Sequence, residues 1–381
     1  MTMLRILGRS LAYGLFLTAL FGCSGGGNDP SPADNDNDRK IILTHWVDNI
    51  ISPSYANFKV KFDVMHDKAH TFIEFPNNTS LVEFRASWVD AYAQWQKTEL
   101  FEFGPADTYT LRNFFNIYPA DVAGISASIA DPAISLEFPS AYARQGFPAF
   151  DYLLNGVGAD DASIIAYYVD AAEGPKRIAF VKKLIDRMHT LLTNVISGWS
   201  TSYRETFINK TGLDIGSSTG LVVNAFVLHY ERYIRTGKFG IPSGTSVAGG
   251  GVPYPEKVEA FYKKDISLTL AKNAHQAAFD FFKGVDVNTG AEGPSLKSYL
   301  DAIEAKDASS GTLLSAIISD QFSVINTKLD VLAPNLFLEA KNNNQAMIDV
   351  YTEMQKLVRI LKVDMTSAMS VTITYTDNDG D

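Results

Sequence analysis

The clearest pattern along the chain is an apolar stripe with helical spacing in its N-terminal part. Six apolar residues follow one another at intervals of three and four: Tyr55, Phe58, Phe62, Met65, Ala69 and Phe72. This spacing places all six side chains on one face of an α-helix. The pattern predicts a long helix that begins after Pro53, ends before Pro76 and turns its apolar face to a bundle core.

A second amphipathic segment follows after a turn. Ser80 with Glu83 three residues later matches the capping box that often opens a helix. Apolar residues then continue along one helical face as far as Trp95. We therefore predict a hairpin of two long helices.

Helical spacing recurs along the rest of the chain, in segments 139–154, 174–209, 218–236, 255–283, 296–325 and 338–361. A strand pattern occurs only at 368–375, so the sequence predicts an all-α fold. Phe103-Gly104-Pro105 and Phe239-Gly240-Ile241-Pro242 close two of the segments in a similar way. This match suggests two packed helical-bundle domains related by duplication, and chance matching of helix ends is the alternative.

The first residues have the order of a secretory signal. Arg5 and Arg9 precede an apolar run that is too short to cross a bilayer. Cys23 is the only cysteine and follows Gly22, which is the position that a lipoprotein signal peptidase requires. The segment predicts a lipid anchor at Cys23, with an incidental cysteine as the alternative. By analogy with bacterial sorting, Ser24 favours the outer membrane, with the protein facing the periplasm or the cell surface.

These patterns divide the chain into five parts: a signal peptide 1–23, a flexible acidic tether 24–38, an N-terminal bundle 39–172, a C-terminal bundle 173–372 and an acidic tail 373–381. The formal net charge is -10. Such a charge argues against nucleic acid as a partner and is compatible with binding cations.

Two stretches resemble a known family. The first runs from Trp88 through Glu99 to Phe103-Gly104-Pro105, and the second is Gly146-Phe147-Pro148-Ala149-Phe150-Asp151-Tyr152-Leu153-Leu154. Val258-Glu259-x-x-Tyr262 is a further landmark in the second half. On these residues the chain resembles the imelysin family over nearly all of its mature length.

The resemblance implies two helical bundles with a functional cleft between them, in bacterial envelope proteins tied to iron acquisition and often labelled metallopeptidases. The family motif is Gly-x-His-x-x-Glu, whose two ligand side chains project from one helix face. In this chain Pro148 stands at the His position and Asp151 at the Glu position. Proline has no side-chain donor or acceptor, so we do not expect a three-ligand hydrolytic zinc site from this motif.

Four residues are the candidates for ligand binding. Asp151 and the backbone at Gly146 come from the motif, and Glu259 comes from the landmark in the second half. Glu99 lies in a strongly apolar stretch, where a lone carboxylate is costly. We predict Asp151 and Glu99 as ligands of iron or another divalent or trivalent cation, because carboxylates suit hard cations. A structural salt bridge of Glu99 with a basic group, Arg85 or Arg144 among others, is the alternative.

A histidine pair offers a different metal chemistry. His66 and His70 are spaced i, i+4, as in the His-Glu-x-x-His zinc motif. Asp67 stands where that motif has its general base, and no third ligand is identifiable from the sequence. We therefore interpret the pair as part of a solvated helix flank, with a zinc site as the alternative.

The sequence as a whole predicts an imelysin-like lipoprotein without peptidase activity. It would bind a metal or an iron-carrying ligand in a cleft between two bundles and interact with envelope iron-transport proteins. One alternative is a zinc metallopeptidase that uses His66 and His70. The other is a module that binds a partner protein without a metal.

Overall fold

The computed structural model describes residues 32–246 and 251–376. The fold is all-α, as predicted: about 70% is helical, and the described residues form no strand. Cys23, the signal peptide, the first part of the tether and residues 377–381 lie outside the described residues. Within the described ranges, no helix combines the length and the apolar character that a membrane span needs.

The first long helix starts earlier than the apolar stripe predicted. Helix α1 (Pro32–His45), a π-helical turn (Trp46–Ile51) and helix α2 (Ser52–Glu74) follow one another, and the junction residues keep helical backbone angles. Residues 32–38, predicted as tether, therefore belong to a helix. Pro53 cannot donate to the carbonyl of Asn49, and that carbonyl accepts the N–H of Val287 instead, at 3.0 Å. The π-helical turn thus carries the chain past a proline that the prediction treated as a boundary.

Helix α3 (Asn78–Trp95) completes the predicted hairpin, but its cap lies one turn earlier than expected. Asn77 Oδ1 accepts the Ser80 N–H at 3.1 Å, and Ser80 Oγ accepts the Asn77 N–H at 3.1 Å. Glu83 takes no part in this cap and accepts a hydrogen bond from Lys68 Nζ at 2.8 Å. The Asn77 side chain is thus the N-cap of α3, in place of Ser80.

Further helices follow along the described residues, and one of them, α9, is longer than either helix of the hairpin at 25 residues. They are α4 (Pro105–Thr108), α5 (Leu111–Phe115), α6 (Val122–Ala130), α7 (Gly146–Asn155), α8 (Asp161–Val169), α9 (Gly174–Gly198), α10 (Arg204–Asn209), α11 (Ser218–Leu228), α12 (Ser267–Lys283), α13 (Leu296–Ala302), α14 (Leu314–Asp330), α15 (Leu336–Asn342), α16 (Asn344–Arg359) and α17 (Thr366–Ala368). π-Helical segments continue α9, α11 and α16: Trp199–Tyr203, His229–Gly240 and Ile360–Met365. Single 3₁₀ turns lie at Pro139–Arg144 and Pro255–Lys257.

The predicted helix at 255–283 is interrupted. Only its last part forms α12, because Ala260 (φ 55°) and Lys264 (φ 65°) adopt left-handed backbone conformations that a right-handed helix excludes. The intervening loop, residues 258–266, runs beside the motif helix α7.

The predicted strand at 368–375 is wrong. Residues 371–374 have no regular secondary structure, and a side chain stands where a partner strand would lie. Asn224 Oδ1 accepts the Thr374 N–H at 2.7 Å, and Asn224 Nδ2 donates to the Thr372 carbonyl at 2.9 Å. A β-branched run of this kind satisfies its backbone without a sheet.

The apolar stripe is buried as predicted. Each of its six residues is at most 2% exposed, and α2 packs between α3 and α9. The buried apolar side chains form a core cluster that extends from Leu43 to Val371. The division into two bundles related by duplication stays a prediction.

The buried His275 on α12 makes the stability of the fold depend on pH. Its Nδ1 lies 2.8 Å from the Tyr230 hydroxyl and its Nε2 lies 3.2 Å from the Phe322 carbonyl. Burial lowers the pKa of His275 from 6.5 to about 4. Between these values the unfolded chain binds a proton that the folded chain does not, so stability falls as the pH falls.

We expect this histidine to cost the native protein about 2 kcal/mol of unfolding free energy between pH 7 and pH 5. Urea denaturation at several pH values should show a shallower decline for His275→Gln, in which the titrating group is removed. Equal pH dependence of the two proteins would show that His275 is not held neutral by the fold.

Candidate functional site

The motif helix α7 begins at Gly146, and its first turn explains two of the motif residues. Gly146 has φ 76°, and a Cβ at this position would lie 2.2 Å from the Phe115 carbonyl oxygen. Only glycine fits here without a shift of the backbone. Pro148 lies in the first turn, where its missing N–H removes no intrahelical hydrogen bond, so it does not kink the helix.

Asp151 is buried, and both of its carboxylate oxygens accept hydrogen bonds. Oδ2 accepts the backbone N–H of Tyr262 at 2.8 Å, and Oδ1 accepts the N–H of Lys263 at 2.9 Å and a weaker bond from Asn155 Nδ2 at 3.3 Å. Burial raises the pKa of Asp151 to about 7, against the effect of these hydrogen bonds, which favour the charged form. Asp151 therefore fastens the 258–266 loop to α7.

A pocket of about 170 Å³ opens beside this contact. Its walls include both altered motif positions, Pro148 and Asp151, together with Tyr118, Val258 and Phe261. The motif thus still faces a pocket, but the wall at its first ligand position is a proline ring.

Glu99 and Glu259 lie in a buried polar cluster, which consists of Tyr92, Gln96, Glu99, Asn116, Lys238 and Glu259. Glu259 Oε1 accepts hydrogen bonds from Asn116 Nδ2 at 2.8 Å, from Tyr92 OH at 2.9 Å and from Gln96 Nε2 at 2.9 Å. Its Oε2 pairs with Lys238 Nζ, which also donates to Gln96 Oε1 at 2.7 Å. Each side chain of this ion pair is 2% exposed. The cluster therefore holds a buried ion pair in which both the Glu259 carboxylate and the Lys238 ammonium have further hydrogen-bond partners.

Glu99 is less completely satisfied. Its Oε1 accepts from Asn116 Nδ2 at 3.1 Å, whereas its Oε2 is buried without a hydrogen-bond partner. Burial raises the pKa of Glu99, and the charges of Lys238 and Arg112 oppose that rise.

The two arginines named from the sequence pair elsewhere. Arg85 lies 2.5 Å from Asp161, and Arg144 lies 2.9 Å from Asp121. A third arginine, Arg112, contacts the backbone of Glu99 and not its carboxylate: Arg112 Nη2 donates to the Glu99 carbonyl oxygen at 2.8 Å.

Three buried basic residues of this region, Arg112, His229 and Lys238, were not predicted as site residues. The His229 side chain is fully buried, both of its ring nitrogens lack a hydrogen-bond partner, and burial lowers its pKa well below the usual value. The Arg112 guanidinium lies 4.3 Å from the ring centroid of Tyr233. Lys238 lies in the segment His229–Gly240, which holds several other charged residues, so its composition does not single this lysine out. Arg112 lies in the five-residue helix α5, which is too short to show a period.

A second and larger pocket, which we call the rim pocket, has a volume of about 340 Å³. It is lined by Asn116, Ile117, Tyr118, Pro119, Arg232, Tyr233, Gly237, Ile241 and Lys257. It shares Tyr118 and Pro119 with the Asp151 pocket, and Asn116 joins it to the buried polar cluster. The two pockets therefore lie on either side of one short segment.

Metal ligation by Asp151 and Glu99 stays a prediction. Within the described residues, three potential ligands come close together at one place, where His66 and His70 meet Asp186. Asp186 is thus a candidate third ligand that the sequence did not identify, and the side chains of His66 and His70 are 23% and 32% exposed. The choice between a solvated helix flank and a metal site stays a prediction. Burial and the neighbouring His189 and His70 lower the pKa of His66.

Solved structures show the same fold. A protein described as an iron-regulated protein A precursor from Parabacteroides distasonis aligns with a TM-score of 0.70 and 16% identity, covering 90% of this chain and 96% of that one. An imelysin-like protein from Psychrobacter arcticum aligns with a TM-score of 0.66 and 16% identity, covering 89% and 98%. Both likenesses support an imelysin-type helical architecture.

The chain belongs to the imelysin family, whose model matches residues 51–363. A curated relative, iron-regulated protein A of Synechococcus elongatus, is 29% identical over 109 residues. That match covers 29% of this chain and 30% of the relative, so less than a third of the relative's length is matched. The resemblance inferred from the motifs is thereby confirmed.

The Lys238–Glu259 ion pair yields a stability prediction. Lys238→Met leaves the Glu259 carboxylate buried without its cation, and we expect a loss of about 3–5 kcal/mol in unfolding free energy. Lys238→Met combined with Glu259→Gln removes both charges and should be more stable than Lys238→Met alone.

Urea denaturation of Lys238→Met, Glu259→Gln and the double variant measures the coupling. Lys61→Met is the matched control, because Lys61 pairs with Asp90 at the surface and should contribute less than about 1 kcal/mol. Strictly additive costs of Lys238→Met and Glu259→Gln would contradict the coupled pair.

Proposed function

We propose that this protein is a lipid-anchored envelope protein that binds an iron-carrying ligand in the rim pocket and takes part in iron uptake without acting as a peptidase. The rim pocket carries the proposal, because it combines two cations, Arg232 and Lys257, with the aromatic rings of Tyr118 and Tyr233. An anionic chelate of ferric iron can pair its carboxylates with these two cations and pack its flat faces against the tyrosine rings.

The carboxylates of the site favour a chelated ion over a bare one. Both oxygens of Asp151 already accept backbone N–H groups, and the charge of Glu259 is matched by Lys238. A bare cation would have to displace these partners, whereas a chelate brings its own ligands. Glu99 and His229 keep the interior beside the pocket polar.

The motif gives little support to hydrolysis. Pro148 offers no ligand atom, and among the described residues no group of three close metal ligands includes Asp151. The names of the two iron-regulated relatives support a link to iron. The predicted anchor at Cys23 would hold the protein at the outer membrane, near envelope iron-transport proteins.

Ferric citrate is the probe for this proposal. We expect saturable binding by calorimetry, weakened about tenfold or more by Lys257→Ala and by Arg232→Ala, because each removes a charge-assisted contact with the anion. Lys61→Ala removes a surface cation that pairs with Asp90 and does not line the rim pocket, so this variant should bind like the native protein. Iron-free citrate should bind more weakly than the chelate.

Absence of binding to ferric citrate, or binding that both pocket variants leave unchanged, would overturn the proposal. Chelator-sensitive hydrolysis of peptides would favour the metallopeptidase alternative. Tight binding of free Fe³⁺ that Asp151→Ala abolishes would instead restore the carboxylate site predicted from the motif.

A further inference from the structure

A cluster of metal-ligating side chains lies away from both pockets, where α2 packs against α9. His66 and His70 occupy successive turns of α2, and Asp186 and His189 occupy successive turns of α9. We call these four residues the His/Asp cluster. The sequence could not join them, because 116 positions separate His70 from Asp186.

The two helices direct three of these side chains at one point. Asp186 Oδ1 lies 2.8 Å from His70 Nε2 and 3.3 Å from His66 Nε2. One potential ligand atom from each of the three residues lies within 4.8 Å of the others. The ring centroid of His189 lies 4.5 Å from that of His66. The packing of α2 on α9 therefore builds a compact set of nitrogen and oxygen donors.

We propose that His66, His70 and Asp186 bind a divalent first-row transition metal ion, represented here by zinc, with His189 beside them as a candidate fourth ligand. Imidazole nitrogen and carboxylate oxygen are the donors that zinc takes in proteins. Calcium and magnesium fit poorly, because they prefer shells made of oxygen.

The geometry needs only a small adjustment to accept the ion. Ligand atoms around a tetrahedral zinc lie roughly 3.3 Å apart, and the two Asp186 contacts already have this scale. Lys182 pairs with the other carboxylate oxygen, Oδ2, and leaves Oδ1 turned to the histidines. The side chains of His66, His70 and Asp186 are 23%, 32% and 39% exposed, so an ion can reach them from solvent.

Such an ion would link α2 to α9 across the face of the bundle. A ligand that binds only the folded state raises stability with its concentration. The site would thus act as a metal-dependent staple, and its position on an open helix flank gives it a role separate from the rim pocket.

Zinc titration of the tag-free protein tests the site. We expect about one zinc per chain by calorimetry, a rise in Tm on adding zinc, and d–d absorption bands typical of a tetrahedral site with cobalt(II). His66→Gln, His70→Gln and Asp186→Asn should each weaken zinc binding about tenfold or more. Circular dichroism of each variant without zinc checks that it is folded.

Two control variants match the chemistry that is removed. His45→Gln removes a histidine of α1 whose Nε2 lies 2.8 Å from the Gly284 carbonyl, and Asp90→Asn removes a surface carboxylate of α3. Both should bind zinc like the native protein, as should the rim-pocket variant Lys257→Ala. Failure of this inference is therefore distinguishable from failure of ferric citrate binding.

No saturable zinc binding by the native protein would overturn the inference. The same holds if folded His66→Gln and His70→Gln variants keep the native affinity, or if His45→Gln weakens binding as much as they do.

Discussion

The packing of one aromatic ring, Phe58 on α2, joins the elements that build the candidate site. Its ring centroid lies 5.3 Å from that of Trp95 at the end of α3, and 6.2 Å from those of Phe115 on α5 and Phe147 on α7. Phe147 in turn stacks on Tyr92 at 4.5 Å. Because Phe147 immediately precedes Pro148, these aromatic contacts pack the first turn of the motif helix α7 against α2 and α3. Burial of these aromatic rings stabilises the fold and offsets the free-energy cost of the polar groups buried in the interior.

The buried polar cluster is costly, and its arrangement shows how the cost is reduced. Removing a carboxylate and an ammonium from water is unfavourable unless each charge is paired and hydrogen-bonded. Glu259 meets both conditions, since it has Lys238 as its counter-ion and three further donors. Glu99 Oε2 and the ring nitrogens of His229 do not. Polar groups left unsatisfied in an otherwise satisfied interior are typical of sites that carry a function.

The sequence predicted those features that depend on local periodicity. The apolar stripe of α2, the hairpin with α3 and the all-α class follow from spacing alone, since an amphipathic helix must bury its apolar face. Spacing could not locate the true start of the first helix, because Pro53 marks a boundary in most helices and here follows a π-helical turn. Nor could it show that Ala260 and Lys264 turn left-handed and break a helix.

The site was only partly predictable for a related reason. Asp151 and Glu259 were found because a family resemblance marked their positions, and Glu99 because a lone carboxylate is costly in a strongly apolar stretch. Their partners were missed, since Asn116 lies 143 positions from Glu259, and Lys238, 21 positions away, lies in the separate segment His229–Gly240. Asp186, which meets His66 and His70 from α9, was missed in the same way. Contacts between helices carry no local sequence signal, so such sites emerge only once the packing is known.

The two altered motif positions, Pro148 and Asp151, both have structural roles in α7 and the loop beside it. Proline at position 148 fits the first turn of α7, where it replaces a ligand side chain with an apolar wall of the Asp151 pocket. Aspartate at position 151 then needs only to reach the backbone of Tyr262 and Lys263, and its carboxylate does so directly. A carboxylate committed to two backbone N–H groups holds a loop in place, and that loop carries Glu259 into the buried polar cluster. The motif helix therefore keeps its place in the fold, with Pro148 lining the Asp151 pocket and Asp151 holding the 258–266 loop against α7.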